Sequence, residues 1–232
     1  MIASGEIGKV RVVQAEYAQD WLTERVEDSG SKQAGWRTDP KRSGAGGCIG
    51  DIGTHAFNLV SFVTGLELES LCADLSAFVP GRTLDDNAHV LLRFRGGARG
   101  MLWASQVAVG NEKHLVLRIY GTKGGLEWCQ EQPNQLWYIP YGQPKQMITR
   151  NGAGASSASR RVLRIPAGHP EGYLEAFANI YAEAAHAIRA AQDGMALDPD
   201  IVFPTAEDGG KGLVFIDACV HPSAGGGSWV GI

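Results

Sequence analysis

A long run of β-type segments occupies the middle of the chain and constrains the fold more than any other feature. Between residues 66 and 165, stretches rich in β-branched and aromatic residues alternate with Gly, Pro and Asn turns. They read LESLCADLSAFV, HVLLRFR, ARGMLWASQVAV, HLVLRIYG, GGLEWCQ, QLWYIP and RVLRI. Connections as short as Gly96 and Gly97 favour antiparallel neighbours, because parallel strands need long crossovers. The run therefore predicts a large, predominantly antiparallel sheet.

Helical patterns flank this region. Residues 53–64 place apolar side chains on one stripe and end at Gly65, a residue that commonly closes a helix. A longer amphipathic pattern covers residues 171–192, and Thr205 followed by Asp208 predicts the start of a last helix. Together the patterns predict an α+β domain in which helices cover one face of an open sheet. The other face is then available for oligomerisation.

The first residues and two later stretches predict less regular structure. Residues 9–17 (KVRVVQAEY) alternate as a strand does, whereas the preceding residues 1–8 resemble the end of a helix followed by a turn. We interpret residues 1–8 as the end of a preceding part of the protein and a linker, and residues 9–232 as one domain. Residues 28–50 predict a long surface loop, and residues 151–159 (NGAGASSAS) predict a mobile loop.

Composition narrows the range of partners and locations. The 232 residues include 21 Lys and Arg and 25 Asp and Glu, for a formal net charge of −4. Mild acidity without a basic cluster argues against nucleic acid or an anionic membrane surface as the partner. We find no signal peptide and no apolar run long enough to cross a membrane. The four cysteines form no CxxC pair, which favours a reducing cytoplasm and predicts no metal site.

The most informative motif is residues 44–65, GAGGCIGDIGTHAFNLVSFVTG. Asp51 and His55 are four residues apart at the start of a predicted helix, so their side chains share one face. An imidazole can take a proton from a hydroxyl near neutral pH, and a carboxylate can hold its tautomer, although the positive helix end disfavours the imidazolium. The same pair also fits a structural cap beside a hydrogen-bonded histidine. A metal hydrolase is disfavoured, because no third ligand lies at diagnostic spacing.

Residues 45–50, AGGCIG, approximate a dinucleotide-binding fingerprint within the same motif. A true fingerprint follows a buried parallel strand, whereas the residues before this one read DPKRSG. No GxGxxG or GxxxxGK[ST] motif occurs in the sequence. The chain therefore shows no phosphate-binding loop of its own.

The run GGCIGDIGTH resembles the Gly-Gly-x-x-x-Asp-x-Gly-x-His signature of the Gfo/Idh/MocA oxidoreductases. The resemblance extends over almost the whole chain, through SGEIGKVRVVQAEY, GGARGMLWASQ, LRIYGTKGGLEW, HPEGYLEAFANIY and FPTAEDGGKGLVFIDACV. It implies an N-terminal Rossmann domain that binds NAD or NADP and a C-terminal α+β domain that binds substrate and builds the oligomer. This chain corresponds to the second domain, since the family's Glu-Lys-Pro motif and dinucleotide fingerprint have no counterpart here.

The resemblance also implies roles for individual residues. The substrate is a carbohydrate-like molecule, meaning a sugar, polyol or related hydroxy compound. His55 takes the hydroxyl proton while hydride passes to the nicotinamide, and Asp51 orients His55. We expect this chain alone not to catalyse that step, and we expect a homodimer or homotetramer formed through the sheet face.

Further residues are candidates for substrate binding. Trp36 offers a stacking face for a sugar ring and Arg37 several fixed donors, although a loop anchor and a solvated arginine explain them equally well. Tyr17, Gln106 and His169 are weaker candidates for the same pocket. A different class of function stays open: a stand-alone, non-catalytic binding or assembly module that uses the sheet face.

Overall fold

A computed structural model describes residues 1–223 and 227–232, and within these residues all nine strands belong to one open sheet. In chain order the strands are β1 Val10–Ala18, β2 Leu68–Ser76, β3 Asn87–Phe94, β4 Arg99–Ser105, β5 His114–Gly121, β6 Gly124–Cys129, β7 Gln135–Pro140, β8 Gln146–Thr149 and β9 Val230–Gly231. Their spatial order is β8-β7-β6-β5-β1-β4-β3-β2-β9. The predicted large sheet and α+β class are confirmed.

The position of β1 departs from a simple meander. This strand lies between β4 and β5, parallel to β4 and antiparallel to β5, whereas the other strand pairs in the described residues are antiparallel. A parallel pair needs a long connection, and residues 19–98 supply it. Because β1 and β4 run the same way, their carboxyl ends meet at one edge. Tyr17 and Gln106 are thereby brought to the same edge of the sheet.

The helices begin and end close to the predicted positions where the sequence pattern is long. They are α1 Lys32–Arg37, α2 Pro40–Ser43, α3 Thr54–Thr64, α4 Ser157–Arg161, α5 Tyr173–Gln192 and α6 Ala206–Ser223. A 3₁₀ turn spans Val26–Ser29 and a π-helical turn spans Ile49–Gly53. The predicted cap of α6 is confirmed: the Thr205 backbone N–H donates to the Asp208 carboxylate at 2.8 Å.

The prediction of one long loop over residues 28–50 is wrong, because this stretch contains α1 and α2. The Ser31 hydroxyl accepts the Ala34 N–H at 3.3 Å, and the Asp39 carboxylate accepts the Lys41 N–H at 2.9 Å. Serine and aspartate are preferred at such caps. Two short capped helices therefore replace the loop.

The segment RVLRI is not a strand, which corrects a second prediction. Arg161 ends α4, which also takes up the end of the 151–159 stretch. The Arg150 side chain then binds the carbonyls of the following residues, with Ile165 O at 2.7 Å and Pro166 O at 3.0 Å. Of these two carbonyls only that of Ile165 belongs to RVLRI, and its partner is a side chain and not a neighbouring strand.

The core lies between one face of the sheet and the helices α3 and α6. Phe57 of α3 stacks on Phe215 of α6 with ring centroids 4.2 Å apart, above the buried Val13 and Leu102 of the sheet. The opposite sheet face is open and leaves large apolar side chains exposed: Val12, Leu91, Met101 and Met147. The predicted arrangement, with helices on one face and an accessible second face, is confirmed.

The long helix α5 leaves its apolar stripe uncovered. Leu174 and Tyr181 are 77% and 71% exposed, and no residue of α5 is buried. Gly194 follows the helix with a positive φ of 64°, a conformation that suits glycine. Across the described residues, no helix combines the length and apolar character that spanning a membrane requires.

Candidate active site

The segment before α3 forms a single turn of π-helix. Asp51 donates its backbone N–H to Gly47 O at 2.9 Å, and the Thr54 N–H reaches back five residues to Ile49 O. Such wide turns are rare and often lie at functional sites. A wide turn holds more residues than an α-helical turn, so Asp51 and His55 do not stack as directly as α-helical spacing implies.

Asp85, which immediately precedes the buried Asp86 before β3, anchors this turn. Its carboxylate accepts the backbone N–H of Gly47 at 2.6 Å and that of Ile49 at 2.8 Å. Its own carbonyl accepts the Cys48 N–H at 2.8 Å. Sequence reasoning missed Asp85, because nothing in the local pattern of residues 80–90 links it to the distant motif.

The same contacts test whether AGGCIG could hold a dinucleotide. A phosphate-binding loop needs free backbone N–H groups, and here the N–H groups of Gly47 and Ile49 are already bound by the Asp85 carboxylate. The residues before the stretch form α2 rather than a strand. This segment does not fit a dinucleotide phosphate.

Asp51 is held by two of the residues predicted for the site. The Arg37 Nε donates to both carboxylate oxygens at 3.0 Å, and the Gln106 Nε2 donates to Oδ2 at 2.7 Å. The Arg37 and Asp51 side chains are 29% and 25% exposed. This half-buried cluster is therefore partly shielded from solvent.

Backbone contacts fix Gln106 in place. Its N–H donates to Asp86 O at 2.8 Å, and its carbonyl accepts the Leu22 N–H at 3.0 Å. The buried Arg82 supports these two loops by binding both Leu22 O and the Asp86 carboxylate. These hydrogen bonds thus hold in place the backbone that carries the Gln106 amide, which donates to Asp51.

Two tryptophans accompany the Arg37 guanidinium. Its carbon lies 5.2 Å from the Trp36 ring centroid and 6.0 Å from the Trp21 ring centroid, distances typical of cation–π contacts. Trp36 is 42% exposed and presents an aromatic surface to solvent. Trp21 was not predicted from the sequence.

A separate ring contact joins two more of the predicted site residues, Tyr17 and His55. Their rings contact edge to face with centroids 6.3 Å apart. Burial raises the pKa of Tyr17 above its ordinary value; hydrogen bonds from Gln19 and Gln130 oppose this shift, and the Asp51 charge adds to it. Tyr17 therefore keeps its proton at neutral pH and can donate a hydrogen bond.

His55 is exposed and faces a pocket of about 240 Å³ between α3 and the start of α6. Polar groups from both helices line it, among them Asn58, Thr205 and Asp208. A larger cavity of about 1120 Å³ lies further along the two helices and is lined mainly by apolar side chains such as Phe62 and Val214. That cavity is not lined by His55, so chemistry that uses the His55 imidazole belongs to the smaller pocket.

The remaining predicted contacts are not formed. His169 is exposed, and its carbonyl accepts from Arg150 at 2.7 Å, in the loop that follows α4. Within residues 1–223 and 227–232, no hydrogen bond or ring contact joins His169 to the other predicted site residues. Nor does a hydrogen bond join Asp51 to His55 in the described part of the chain. The roles assigned to these residues stay predictions.

Residues 1–127 match the family model of the GFO/IDH/MocA C-terminal domain. An uncharacterized oxidoreductase of Bacillus subtilis, YfiI, is 33% identical over 99% of this chain and 59% of its own length. An oxidoreductase structure from Sinorhizobium meliloti is 57% identical with a TM-score of 0.86, covering 99% of this chain and 59% of that one. An inositol dehydrogenase homologue from Azotobacter vinelandii, in complex with NADH and myo-inositol, is 34% identical with a TM-score of 0.91, covering 100% and 59%. The chain thus spans about three fifths of each.

Proposed function

The chain belongs to the Gfo/Idh/MocA family of oxidoreductases, and from this premise we propose that residues 9–232 are the substrate-binding and oligomerisation domain of an NAD(P)-dependent dehydrogenase. Residues 1–8 would be the end of the cofactor domain and its linker. The proposed substrate is a sugar, polyol or related hydroxy compound. The observation that carries the proposal is the polar cluster around Asp51, with His55 and Tyr17 beside it.

The arrangement suits the binding and deprotonation of a hydroxyl group. Arg37 and the Trp36 face offer a donor and a stacking surface for a polyol ring. His55, exposed at its pocket, accepts the hydroxyl proton on an imidazole nitrogen. The charge of the Asp51 carboxylate contributes to the raised pKa of Tyr17, which contacts His55. We assign to Asp51 the positioning of the residues around His55.

In this proposal the cofactor-binding site lies outside residues 9–232. NAD or NADP would accept the hydride from the substrate carbon. AGGCIG does not fit a phosphate group, since Asp85 occupies its backbone donors. This chain alone therefore should not turn over substrate. We also propose a cytoplasmic location, which the four free cysteines support.

Binding measurements on the purified protein test both the substrate site and the placement of the cofactor. Titration with NADH and NADPH, followed by nicotinamide fluorescence, should show no saturable binding up to millimolar concentrations. Calorimetry with a panel of cyclic polyols and pyranoses that starts from myo-inositol should detect a ligand. The variants His55→Ala and Asp51→Asn should each weaken it about tenfold, which corresponds to about 1.4 kcal/mol, the order expected for loss of one hydrogen bond.

His221→Ala is the matched control, because this histidine is also exposed and lies on α6, outside the pocket beside His55. It should leave polyol binding unchanged. Equal affinity in the His55→Ala, Asp51→Asn and wild-type proteins would refute the proposed substrate site. Saturable micromolar NADH binding would refute the placement of the cofactor elsewhere.

The open sheet face is the proposed oligomer interface. Leu91 is 52% exposed and Met101 is 44% exposed, and the two residues are direct partners on adjacent strands. We propose a homodimer or homotetramer through this face. Light scattering should show a multimer for the wild-type protein and a monomer for Leu91→Lys. A monomeric wild-type protein would contradict this assignment.

The same surface supports the alternative function, a stand-alone assembly module without a substrate. That alternative predicts a multimer that binds no polyol and is indifferent to His55→Ala. The calorimetric and light-scattering results together separate the two functions.

A further inference from the structure

A histidine, a cysteine and a glutamate that are not part of the candidate active site come together beside it, where His114 pairs with Ala18. His114 begins β5, Cys129 ends β6, and Glu131 lies in the turn that follows. Their potential ligand atoms all lie within 4.8 Å of one another. His114 Nδ1 and Glu131 Oε2 are 3.2 Å apart. The sequence does not reveal this cluster, because its residues lie on two paired strands and do not form a short motif.

The backbone around the cluster is well supported. Cys129 pairs with Val116 in the β5–β6 ladder, and the Gln130 N–H extends the ladder to Leu115 O at 2.9 Å. The Gln132 N–H then closes the turn on Cys129 O at 3.1 Å. Alternation along β5 places His114 and Val116 on the sheet face opposite Leu115. The ladder therefore holds the histidine and the cysteine on one face before any ligand arrives.

The charged group of the cluster is also held. The Lys113 backbone N–H donates to Glu131 Oε1 at 3.4 Å, while Oε2 faces His114. The His114 and Glu131 side chains are 33% and 43% exposed. An ion can therefore reach the cluster directly from solvent.

The donor set selects the kind of ion. Zinc prefers nitrogen and sulfur donors at about 2.0–2.3 Å in a tetrahedron, with three protein ligands and one open position in many sites. Calcium and magnesium prefer oxygen donors only. A thiolate and a carboxylate would neutralise the two charges of Zn²⁺, and binding would release the thiol proton to solvent.

We propose that His114, Cys129 and Glu131 form a zinc-type binding site with a fourth position open to solvent. Gln130 lies between two of the ligands and reaches Tyr17 in the candidate active site. An ion bound here would therefore fix the turn from which Gln130 contacts Tyr17. The proposal concerns ion binding at this turn, and it assigns the ion no reaction step.

Cobalt provides the direct test, because Co²⁺ occupies zinc sites and a cobalt–thiolate bond gives an intense charge-transfer absorption. The purified protein is freed of metal with a chelator and then titrated with Co²⁺ under reducing conditions. We expect the absorption to saturate at one equivalent and to be displaced by Zn²⁺. Calorimetry with Zn²⁺ alone gives the affinity.

Three variants locate the site. Cys129→Ser should abolish the cobalt absorption, and His114→Ala should weaken Zn²⁺ binding by at least about tenfold, the smallest effect usual for loss of even an outer-shell partner. Cys72→Ser is the matched control, because Cys72 is also a half-buried free thiol on the sheet, and it donates a hydrogen bond to Gly227 O at 2.9 Å. It should leave the absorption intact.

Each other outcome overturns the proposal. A wild-type protein without the charge-transfer band has no thiolate metal site. A band that survives Cys129→Ser, or that disappears only with Cys72→Ser, belongs to another thiol. Circular dichroism of the metal-free variants must match the wild type. If Cys129→Ser is misfolded, the Zn²⁺ affinity of His114→Ala tests the proposal instead, and an affinity equal to that of the wild type overturns it.

Discussion

A methyl group added at Gly47 would collide with the backbone that anchors the Asp51 motif. A Cβ at this position would lie 2.0 Å from Asp85 O, whereas ordinary contacts begin near 3.4 Å. The obstacle is a carbonyl and not the end of a flexible side chain, so the backbone itself must move. That movement would stretch the bonds of Gly47, Cys48 and Ile49 to Asp85, which are 2.6–2.8 Å long.

The cost of Gly47→Ala follows from these contacts. Overpacking costs about 1–3 kcal/mol, and a weakened hydrogen bond to a charged group adds about 1.5–3 kcal/mol. We expect the free energy of unfolding to fall by about 3 kcal/mol. For a chain of this size that lowers Tm by about 6–12 °C.

Gly50→Ala is the matched control, because it adds the same methyl group three residues later with no heavy atom within 4 Å. Loss of glycine flexibility in the unfolded chain should make this variant neutral or more stable by up to about 1 kcal/mol. Urea unfolding monitored by tryptophan fluorescence measures both variants. Equal stabilities for Gly47→Ala and Gly50→Ala would show that Asp85 does not constrain Gly47.

Three further predictions concern buried groups. Asp86→Ala removes one partner of the buried Asp86–Arg82 ion pair and should destabilise the protein by about 3–5 kcal/mol in urea unfolding, where a change below 1 kcal/mol would contradict the pairing. Because burial raises the pKa of Tyr17, stability should fall as pH rises above about 10, the ordinary tyrosine value, and Tyr17→Phe should flatten that decline. Burial also raises the pKa of two of the four free thiols, so a thiol reagent should label only the other two until urea is added; early labelling of all four would refute this. The two protected thiols are Cys48 and Cys219.

The elements with long local patterns could be predicted from the sequence. The strands of the central run and the helix α3 carry their periodicity within a few residues, and Thr205 with Asp208 marks the start of α6 directly. The insertion of β1 between β4 and β5 could not be predicted, because nothing in residues 9–17 identifies the strands with which β1 pairs. The short helices α1 and α2 were not predicted either. Helices of this length are unstable alone and depend on caps and tertiary contacts, such as that of Arg37 with Asp51.

The candidate site shows the same division between local and distant information. The spacing of Asp51 and His55 predicted that both belong to the site. That prediction required the Asp51 carboxylate to be free to orient the His55 imidazole. The structure has Asp51 bound by Arg37 and by Gln106, which arrive from α1 and from the end of β4. Asp51 therefore holds two segments together, whereas His55 is exposed and, among the described residues, makes a ring contact with Tyr17 but no ion pair. Replacing Asp51 should change both stability and binding, while replacing His55 should change binding alone.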